Sequence, residues 1–596
     1  MHELSVDLHK VPWSCRGSYL SLCTLAGPGG GQCPHTDLYL STHQIPIGRP
    51  MFALRPSVEE LPPPQGFLTT DSPTTFGASA DTLHWKLHDR TVAEAVFQDA
   101  RILRVRGTIP LNLDTDASVL GGGYSSYIAP VQSRHKLPSM LEFTTFGYQG
   151  MYLVALKGEF TCVNILTADD GNRRITIKSS EGGDWELAII ERETSLVSDE
   201  GSERFETLPD VVAALSTVCF EDVKSHAHAR FSEYAKALLP WTSNASSTET
   251  YAAFAMWTST VRPMGLLKRE GVLMSKLWMD KIWSWDNCFN AVALASLGLR
   301  PALDNILIPY DFQTPQGRLP DSVTQCEILY DFAKPPIYGW ALFKIQEVAK
   351  IDRRSLEPLY EKVSRFTNFW LVNRTSSHSE LCHYIHGNDS GWDNATCFDE
   401  DPVIVSPDLA AFLIIQADWL AVTAANLRRG NESEQWVSTR DRLAHDLVDE
   451  LWTDDGFVVK SARTGKLIKS SSLLTLIPLV AAPYLPKPIV TRMVGLLDQF
   501  TTQHGLATEA LDSPLYEPDG YWRGPIWAPV TALIESGLRK SGHLATADTI
   551  RARFMAMCDV SGFAENYDAQ KGTGNRDSCY TWAASVYLMF AREAIF

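Results

Sequence analysis

The chain has 596 residues, a formal charge of −17 and a pI near 5.4. That balance argues against a polyanion as the main partner, because nucleic-acid binding relies on clustered Lys and Arg to neutralise phosphates. The length gives room for roughly four domains, or for one large barrel or toroid with a second domain beside it.

The first residues, "MHELSVDLHK", carry charges where a signal peptide needs an apolar run. Nowhere do about 18 apolar residues follow one another, so no membrane contact is expected and the chain reads as cytoplasmic. Its 11 cysteines lie without CxxC pairs or zinc spacing, which favours buried free thiols over a disulfide framework and implies no metal. Sequons stand at Asn244, Asn373, Asn388, Asn394 and Asn431, of no consequence in a compartment without glycosylation.

Up to about residue 220 apolar and polar residues alternate in short runs separated by Gly, Asp and Pro. "MYLVALKGEF", "RRITIKSS" and "WELAIIERE" read as half-buried strands, with Ile175 and Ile177 on one face and Thr176 and Lys178 on the other. An antiparallel β-sandwich over 1–220 is the economical expectation. The Gly- and Pro-rich "LAGPGGGQCPH" and "SVEELPPPQG" read as long loops joining strands. Residues 221–247 are expected as a linker, and 248–596 as a helical domain.

In that second part the period becomes 3.6. "SLEPLYEKVSRFTNFW" places Leu359, Val363, Phe366 and Trp370 on one stripe, whereas "SPDLAAFLIIQADWLAVTAANL" is apolar nearly all round after a Ser406 cap and Pro407. About twelve helices are expected, near 248–262, 284–298, 300–313, 335–351, 354–373, 406–429, 433–453, 472–482, 487–504, 525–541, 543–559 and 578–593. Several even-numbered members are the more apolar, as in six hairpins with six inner helices ringed by six outer ones.

The unusual residues precede the inner helices: "WSWDN" (283–287), "GRLPDS" (317–322), "KPP" (334–336), "SGWDN" (390–394), "GYWRGPIW" (520–527) and "GFAENYDAQKGTG" (562–574). In a closed ring such loops share one end. Their inventory is carboxylates, amides, an arginine and the indoles of Trp283, Trp285, Trp392, Trp522 and Trp527. Indoles can stack on sugar C–H faces while amides, carboxylates and arginine bond hydroxyls, so a small carbohydrate is the expected partner. Trp257, Trp370 and Trp419 lie on helical stripes and read as core. Cleaving a glycosidic bond takes an acid for the leaving oxygen and a second carboxylate across the sugar. Asp393 and Glu565 are the candidate pair, with Asp389, Asp286 and Asp321 competing for the acid and Asp568 for the base.

Taken together, "SGWDN", "WSWDN", "KPP", "YWRGPIW" and "FAENYD" followed by "GTG" resemble glycoside hydrolase family 63, over about residues 280–590. The resemblance implies an (α/α)6 toroid behind an N-terminal β-domain, and an inverting mechanism without a cofactor. It makes Asp393 the general acid and Glu565 the general base. It places Asp286 on the glycone hydroxyls, with Lys334 lining the same subsite and Arg523 and Trp527 lining the pocket; Asn287, Asn394, Tyr521 and Trp522 complete the substrate-binding set. An exo-acting α-glucosidase of small α-glucosides is the leading expectation, with a mannosyl- or glucosylglycerate hydrolase, a trehalase-like enzyme or a non-catalytic carbohydrate-binding protein as alternatives. Phosphorolysis would leave Glu565 superfluous, and an epimerase would need histidines where only His383 and His386 stand near the motif loops.

Overall fold

The computed structural model describes residues 4–594 apart from 25–37, 46–48, 58–73, 116–125, 132–137, 146–147, 164–172, 181, 193–211, 213–214, 216 and 278. The Gly-rich stretch after Leu25 and most of the Pro-rich stretch after Ser57 lie outside the described residues. The chain divides into two compact units. One comprises Met1–Lys236, Trp257–Arg262 and Ser275–Asp280, and the other comprises Ala237–Met256, Pro263–Met274 and Lys281–Phe596.

The first unit holds two antiparallel sheets. One runs in the order Leu20–Cys23, Leu38–Thr42, Arg49–Pro56, Leu111–Thr115, Arg173–Lys178 and Glu159–Val163. The other runs Thr74–Ala78, Leu83–Leu87, Arg90–Phe97, Ile102–Gly107, Trp185–Glu191, Tyr148–Lys157, Met140–Thr145 and Ser126–Pro130. The alternation read from "RRITIK" holds, since Ile175 and Ile177 are wholly buried, as the period of a strand with one face on a core requires. Phe52 of one sheet meets Phe143 of the other with ring centroids 4.9 Å apart. Most of the expected linker is instead a helix, α1 (Phe220–Leu238). It is held because Phe220, Val223 and Ala227 pack on Val96; its apolar positions are spaced for one helical face, which the linker reading overlooked.

All twelve expected helical segments are present in the second part of the chain, after α1. They are α2 (Ser247–Ser259), α3 (Asp286–Leu294), α4 (Leu299–Tyr310), α5 (Tyr338–Val348), α6 (Arg353–Asn373), α7 (Pro407–Asn426), α8 (Gly430–Leu451), a 3-10 helix (Leu473–Tyr484), α9 (Lys487–Leu496), α10 (Ala528–Lys540), α11 (Leu544–Ser561) and α12 (Thr581–Glu593). The segment "LLTLIPLVAAPY" takes 3-10 form, consistent with Pro478 and Pro483, whose nitrogens cannot donate to an α-helical ladder.

Packing follows a cyclic order: α3 on α5, α5 on α7, α7 on the 3-10 helix, that helix on α10, α10 on α12, and α12 back on α3. Outside them α4 packs on α3, α6 and α8 on α7, α9 on the 3-10 helix and α11 on α10. Composition explains who lies inside. In α7 only scattered positions reach solvent, and 83% of its most apolar window is buried in the protein. It is the one helix among the described residues long and apolar enough to cross a membrane. In α8 burial is confined to Trp436, Leu443, Ala444, Leu447 and Leu451, one stripe of a helix otherwise rich in charge. Helix α6 has the same one-sided pattern, and Asp352 caps it by accepting from the Ser355 amide at 2.8 Å. Of the described cysteines, Cys15, Cys23, Cys288, Cys382, Cys397, Cys558 and Cys579 are buried free thiols, while Cys219 and Cys326 are exposed.

Candidate active site

The loops that enter the inner helices are tied to one another in a circle. Trp283 pairs with Ser322 in a short three-stranded sheet. The Asp389 carboxylate accepts from the Ala333 amide at 2.9 Å, joining "KPP" to "SGWDN". Asn394 then clasps the next loop with both ends of its amide, donating to the Gly520 carbonyl at 3.1 Å and accepting from the Trp522 amide at 3.0 Å. Ile526 and Tyr567 exchange two backbone bonds of 2.7 and 3.0 Å. Trp285 and Trp582, 6.2 Å apart edge to face, close the circle. Residues distant in sequence thereby share one end of the ring.

The "HGNDSGWDNAT" stretch is shaped by two glycines. A one-turn helix, Gly387–Ser390, ends at Gly391 with φ 73°, where a Cβ would lie 2.4 Å from the Trp285 ring. At Gly387 a Cβ would lie 2.2 Å from the Asp393 carbonyl oxygen. Both glycines are needed to fold the chain back tightly, which carries Asp393 out beyond the turn.

Asp393 enters a cluster of acids around one lysine. Lys334 Nζ lies 3.4 Å from Asp321 and 3.9 Å from Asp393, donates to the Asn388 carbonyl at 2.7 Å, and sits over the Phe332 ring. Asp286, the first residue of α3, feels the same lysine and both aspartates. Burial pushes the Asp286 carboxyl up to about 7, against the pull of Lys334. Burial likewise raises Asp321 and Asp393, again opposed by Lys334. The physical cause is shared: four charges crowd a site where water is scarce, and one cation does not neutralise three anions. Asp393 still has 33% of its side chain open to solvent, unlike Asp321 at 9%.

Glu565 belongs to the same electrostatic neighbourhood, coupled to Asp393. Burial and the nearby Asp577 carboxylate push it up to about 7, while a hydrogen bond from Tyr521 and the Arg576 charge act the other way. Tyr521 is held for this task in the left-handed region, φ 63°. Its carbonyl accepts from Trp527 Nε1 at 2.9 Å, its ring meets Trp527 edge-on, and Arg576 lies 5.0 Å over the other side. The phenol feels Glu565, Asp393 and Asp286 together. Such a conformation costs a non-glycine residue of order 1–3 kcal/mol and persists only where the surroundings enforce it.

Several residues expected to touch a sugar do other work. Trp285, Trp392, Trp522 and Trp527 are wholly or almost wholly buried, and Trp522 and Trp527 stack face to face at 3.8 Å. An indole with no open face cannot be a stacking platform, so these four form the packed wall behind the loops, and Trp283 alone of the loop tryptophans keeps some surface. Asn287 is buried and donates to the Asn305 carbonyl at 2.7 Å, pinning α3 to α4. Asn394 is used up in its clasp, and Arg523 pairs with both oxygens of Asp399 and donates to the Asn394 carbonyl at 2.8 Å.

Two competing acids are likewise committed elsewhere. Asp389 is fully buried, taking bonds from Ala333, Ile385 and Arg374. Asp568 caps its own turn by accepting from the Gln570 and Lys571 amides. Asp321 stays in the cluster. Reading the sequence missed Tyr580, which feels Glu565 and Asp286, Arg576, and Trp582, which donates to the Glu565 carbonyl at 3.0 Å. Tyr580 and Trp582 stand in "CYTW", directly before and within the start of α12, so the rule that marked the other loops would have found them. Among the described residues no three His, Cys, Asp or Glu side chains are grouped as metal ligands.

A family model described as a mannosylglycerate hydrolase MGH1-like glycoside hydrolase domain matches residues 279–583. The mannosylglycerate hydrolase of Rubrobacter radiotolerans is 25% identical over 215 residues, 34% of this chain and 47% of that protein. That of Thermus thermophilus is 36% identical over 80 residues, 13% of this chain and 19% of that protein. The chain thus spans less than half the length of these curated relatives. A crystal structure of the mannosylglycerate hydrolase of family 63 from Thermus thermophilus, in complex with glucose, superposes with a TM-score of 0.52 at 19% identity, covering 58% of this chain and 99% of that one. The same enzyme with Tris and D-glycerate superposes at 0.50 and 20% identity, over 58% of this chain and 99% of that one.

Proposed function

Because the chain belongs to the mannosylglycerate hydrolase MGH1-like glycoside hydrolases of family 63, we propose that it hydrolyses small α-glycosides with inversion, on an (α/α)6 toroid preceded by a β-sandwich domain, in the cytoplasm. The cyclic packing order of the inner helices supports the toroid. One observation carries the chemistry: the loops bearing Asp393 and Glu565, which precede different inner helices, are joined through the 520–527 loop by the Asn394 clasp on Gly520 and Trp522 and by the Ile526–Tyr567 backbone pair, which brings both carboxyls to Tyr521.

Asp393 serves as the acid. Its partial exposure lets it reach a glycosidic oxygen, and desolvation favours its protonated form over the usual carboxylate range. Glu565 serves as the base that takes a proton from water. The Tyr521 hydrogen bond and the Arg576 charge favour its ionised form, against burial and Asp577. A base titrating near neutrality is a stronger proton acceptor than an ordinary glutamate. Inversion calls for the two carboxyls to stand roughly 6.5–9.5 Å apart, with water between. Asp286, Asp321 and Lys334 line the adjoining space as hydroxyl-binding groups, and Trp283 offers the accessible indole.

The relatives move the substrate expectation. An α-glucoside leads on motifs alone, whereas the named relatives are mannosylglycerate hydrolases. Mannosyl- and glucosylglycerate therefore come first in the test, with α-glucobioses second. Proton NMR of the anomeric signal is expected to show the β-anomer appearing first from an α-glycoside, and kcat/KM falling about tenfold per pH unit below about 7, as Glu565 gains its proton. First release of the α-anomer, or a Glu565→Gln variant as active as the wild type, would overturn the assignment.

A further inference from the structure

The inner helices have a second set of ends, and there the charge reverses. A cavity of about 990 Å³ lies where α3, α5, α10 and α12 finish, bounded by Ser296, Lys344, Ser536, Lys540 and Arg592 among others. Five cationic side chains line it against two carboxylates, Glu347 and Glu593, in a chain whose overall charge is −17.

Most of these charges are already matched. Lys344 lies 3.1 Å from both Glu347 and Glu593, and Arg551 bridges Glu535 at 2.6 Å and Glu593 at 2.7 Å. Arg539 shares Glu535 at 2.9 Å and reaches Asp548 at 2.6 Å. Two cations remain over. Lys540 has no carboxylate within ion-pair distance among the described residues; it lies 5.6 Å over the Phe343 ring, with Lys344, Glu347 and Asp418 acting on it from farther away. Arg592 is 7% exposed, yet among the described residues its guanidinium hydrogen-bonds only the Val292 carbonyl and the Ser296 hydroxyl, at 3.3 and 3.5 Å through Nη1.

Helix dipoles account for part of this, since the C-terminal ends of helices favour cations. They do not account for the placing of Arg592, which is 7% exposed and whose Nε and Nη2 find no protein acceptor among the described residues although the Glu593 and Glu347 charges act on it, so those donors are left to a group in the cavity. A planar guanidinium beside a mobile ammonium in a cavity of this size suits a compact molecule with more than one oxyanionic group. The global negative charge repels a long polyanion, so the occupant is small.

We propose that this cavity binds a small molecule carrying two or more phosphate or carboxylate groups, held between Arg592 and Lys540 at the end of the ring opposite the catalytic loops. Titration calorimetry of the full chain at low ionic strength, where screening is weak, tests it with inorganic phosphate, pyrophosphate and citrate as probes. Saturable binding of pyrophosphate, citrate or both at one site is expected, with the affinity of Lys540→Gln and Arg592→Gln reduced at least about tenfold, as loss of a charge-assisted hydrogen bond implies. Pyrophosphate alone would indicate a phosphorylated ligand, and citrate alone a carboxylate. Lys334→Met, at the other end, is expected to bind these probes as the wild type does. Lys540 is exposed, so its variant should fold even if that of the buried Arg592 does not. No saturable heat with any probe, or binding that Lys540→Gln leaves unchanged while Lys334→Met abolishes it, would overturn the proposal.

Discussion

The two ends of the six cyclically packed helices handle charge in opposite ways. At the entering loops Asp286, Asp321 and Asp393 crowd round Lys334 with Glu565 and Arg576 beside them, and burial lifts all four carboxyls above their ordinary range. At the other end Glu535, Glu593, Arg551 and Lys344 neutralise one another in a paired network. The lesson is one of frustration against satisfaction. Desolvated acids that outnumber their cations hold protons above the ordinary carboxylate range, which suits them to proton transfer at a cost in stability. Paired charges such as these hold helices in register, and only Lys540 and Arg592 beside them are left over for a ligand.

The sharpest break of this contrast is at the acids. Asp393→Asn and Glu565→Gln are each expected to lower kcat by roughly 10²–10⁴-fold, the usual worth of general acid–base catalysis, with circular dichroism unchanged; a smaller loss would move the chemistry to Asp286 or Asp321. At the opposite end Glu535→Gln removes the shared partner of Arg539 and Arg551, whose own carboxylate is 1% exposed. Breaking such a buried pair costs about 3–5 kcal/mol, read as a lower midpoint in urea, while kcat of the folded enzyme should hold.

Gly391→Ala tests the turn between these regimes. Positive φ and a Cβ 2.4 Å from Trp285 predict a loss of about 1–3 kcal/mol in stability. Displacement of Asp393 should also lower kcat more than it raises KM.

The last effect has the opposite sign. Glu565 and Asp286 titrate near 7 in the folded chain, well above about 4.3 and 3.9 in an unfolded one. Folding therefore takes up protons between roughly pH 4 and 7, and the stability these groups contribute is present at low pH and lost as pH rises through 7. Asp286→Asn or Glu565→Gln should accordingly raise Tm at pH 8, by an amount that shrinks toward pH 5. A variant whose Tm gain does not depend on pH would show that desolvation is not what raises these carboxyls.

Much of the architecture was legible in the chain because it is written in local periodicity. Most of the helical segments follow the 3.6-residue period, Leu473–Tyr484 taking 3-10 form instead, and the near-uniform apolarity of "LAAFLIIQADWLAV" marked α7 as internal. Helix α1 was missed because a polar, charge-rich face hid a short stripe of Phe220, Val223 and Ala227. At the site, the loops stand out by their position before the inner helices, and Asp393 and Glu565 are candidates by their motifs. The tryptophans were misjudged for a physical reason: an indole in a loop looks the same in sequence whether its face meets a sugar or, like Trp522, lies 3.8 Å from another indole.

By itself, then, the sequence determined the helix and strand periods and which loops carry acids. Those are properties of neighbours along the chain, where side-chain spacing alone sets the outcome. Only the tertiary structure decided which carboxylates are free to react. Asp389 and Asp393 sit four residues apart in one loop, yet the first is consumed by Arg374 and two backbone amides, while the second faces Lys334 across a solvent-open edge. That difference depends on hydrogen-bond partners and water access brought together from distant loops, which no local pattern records.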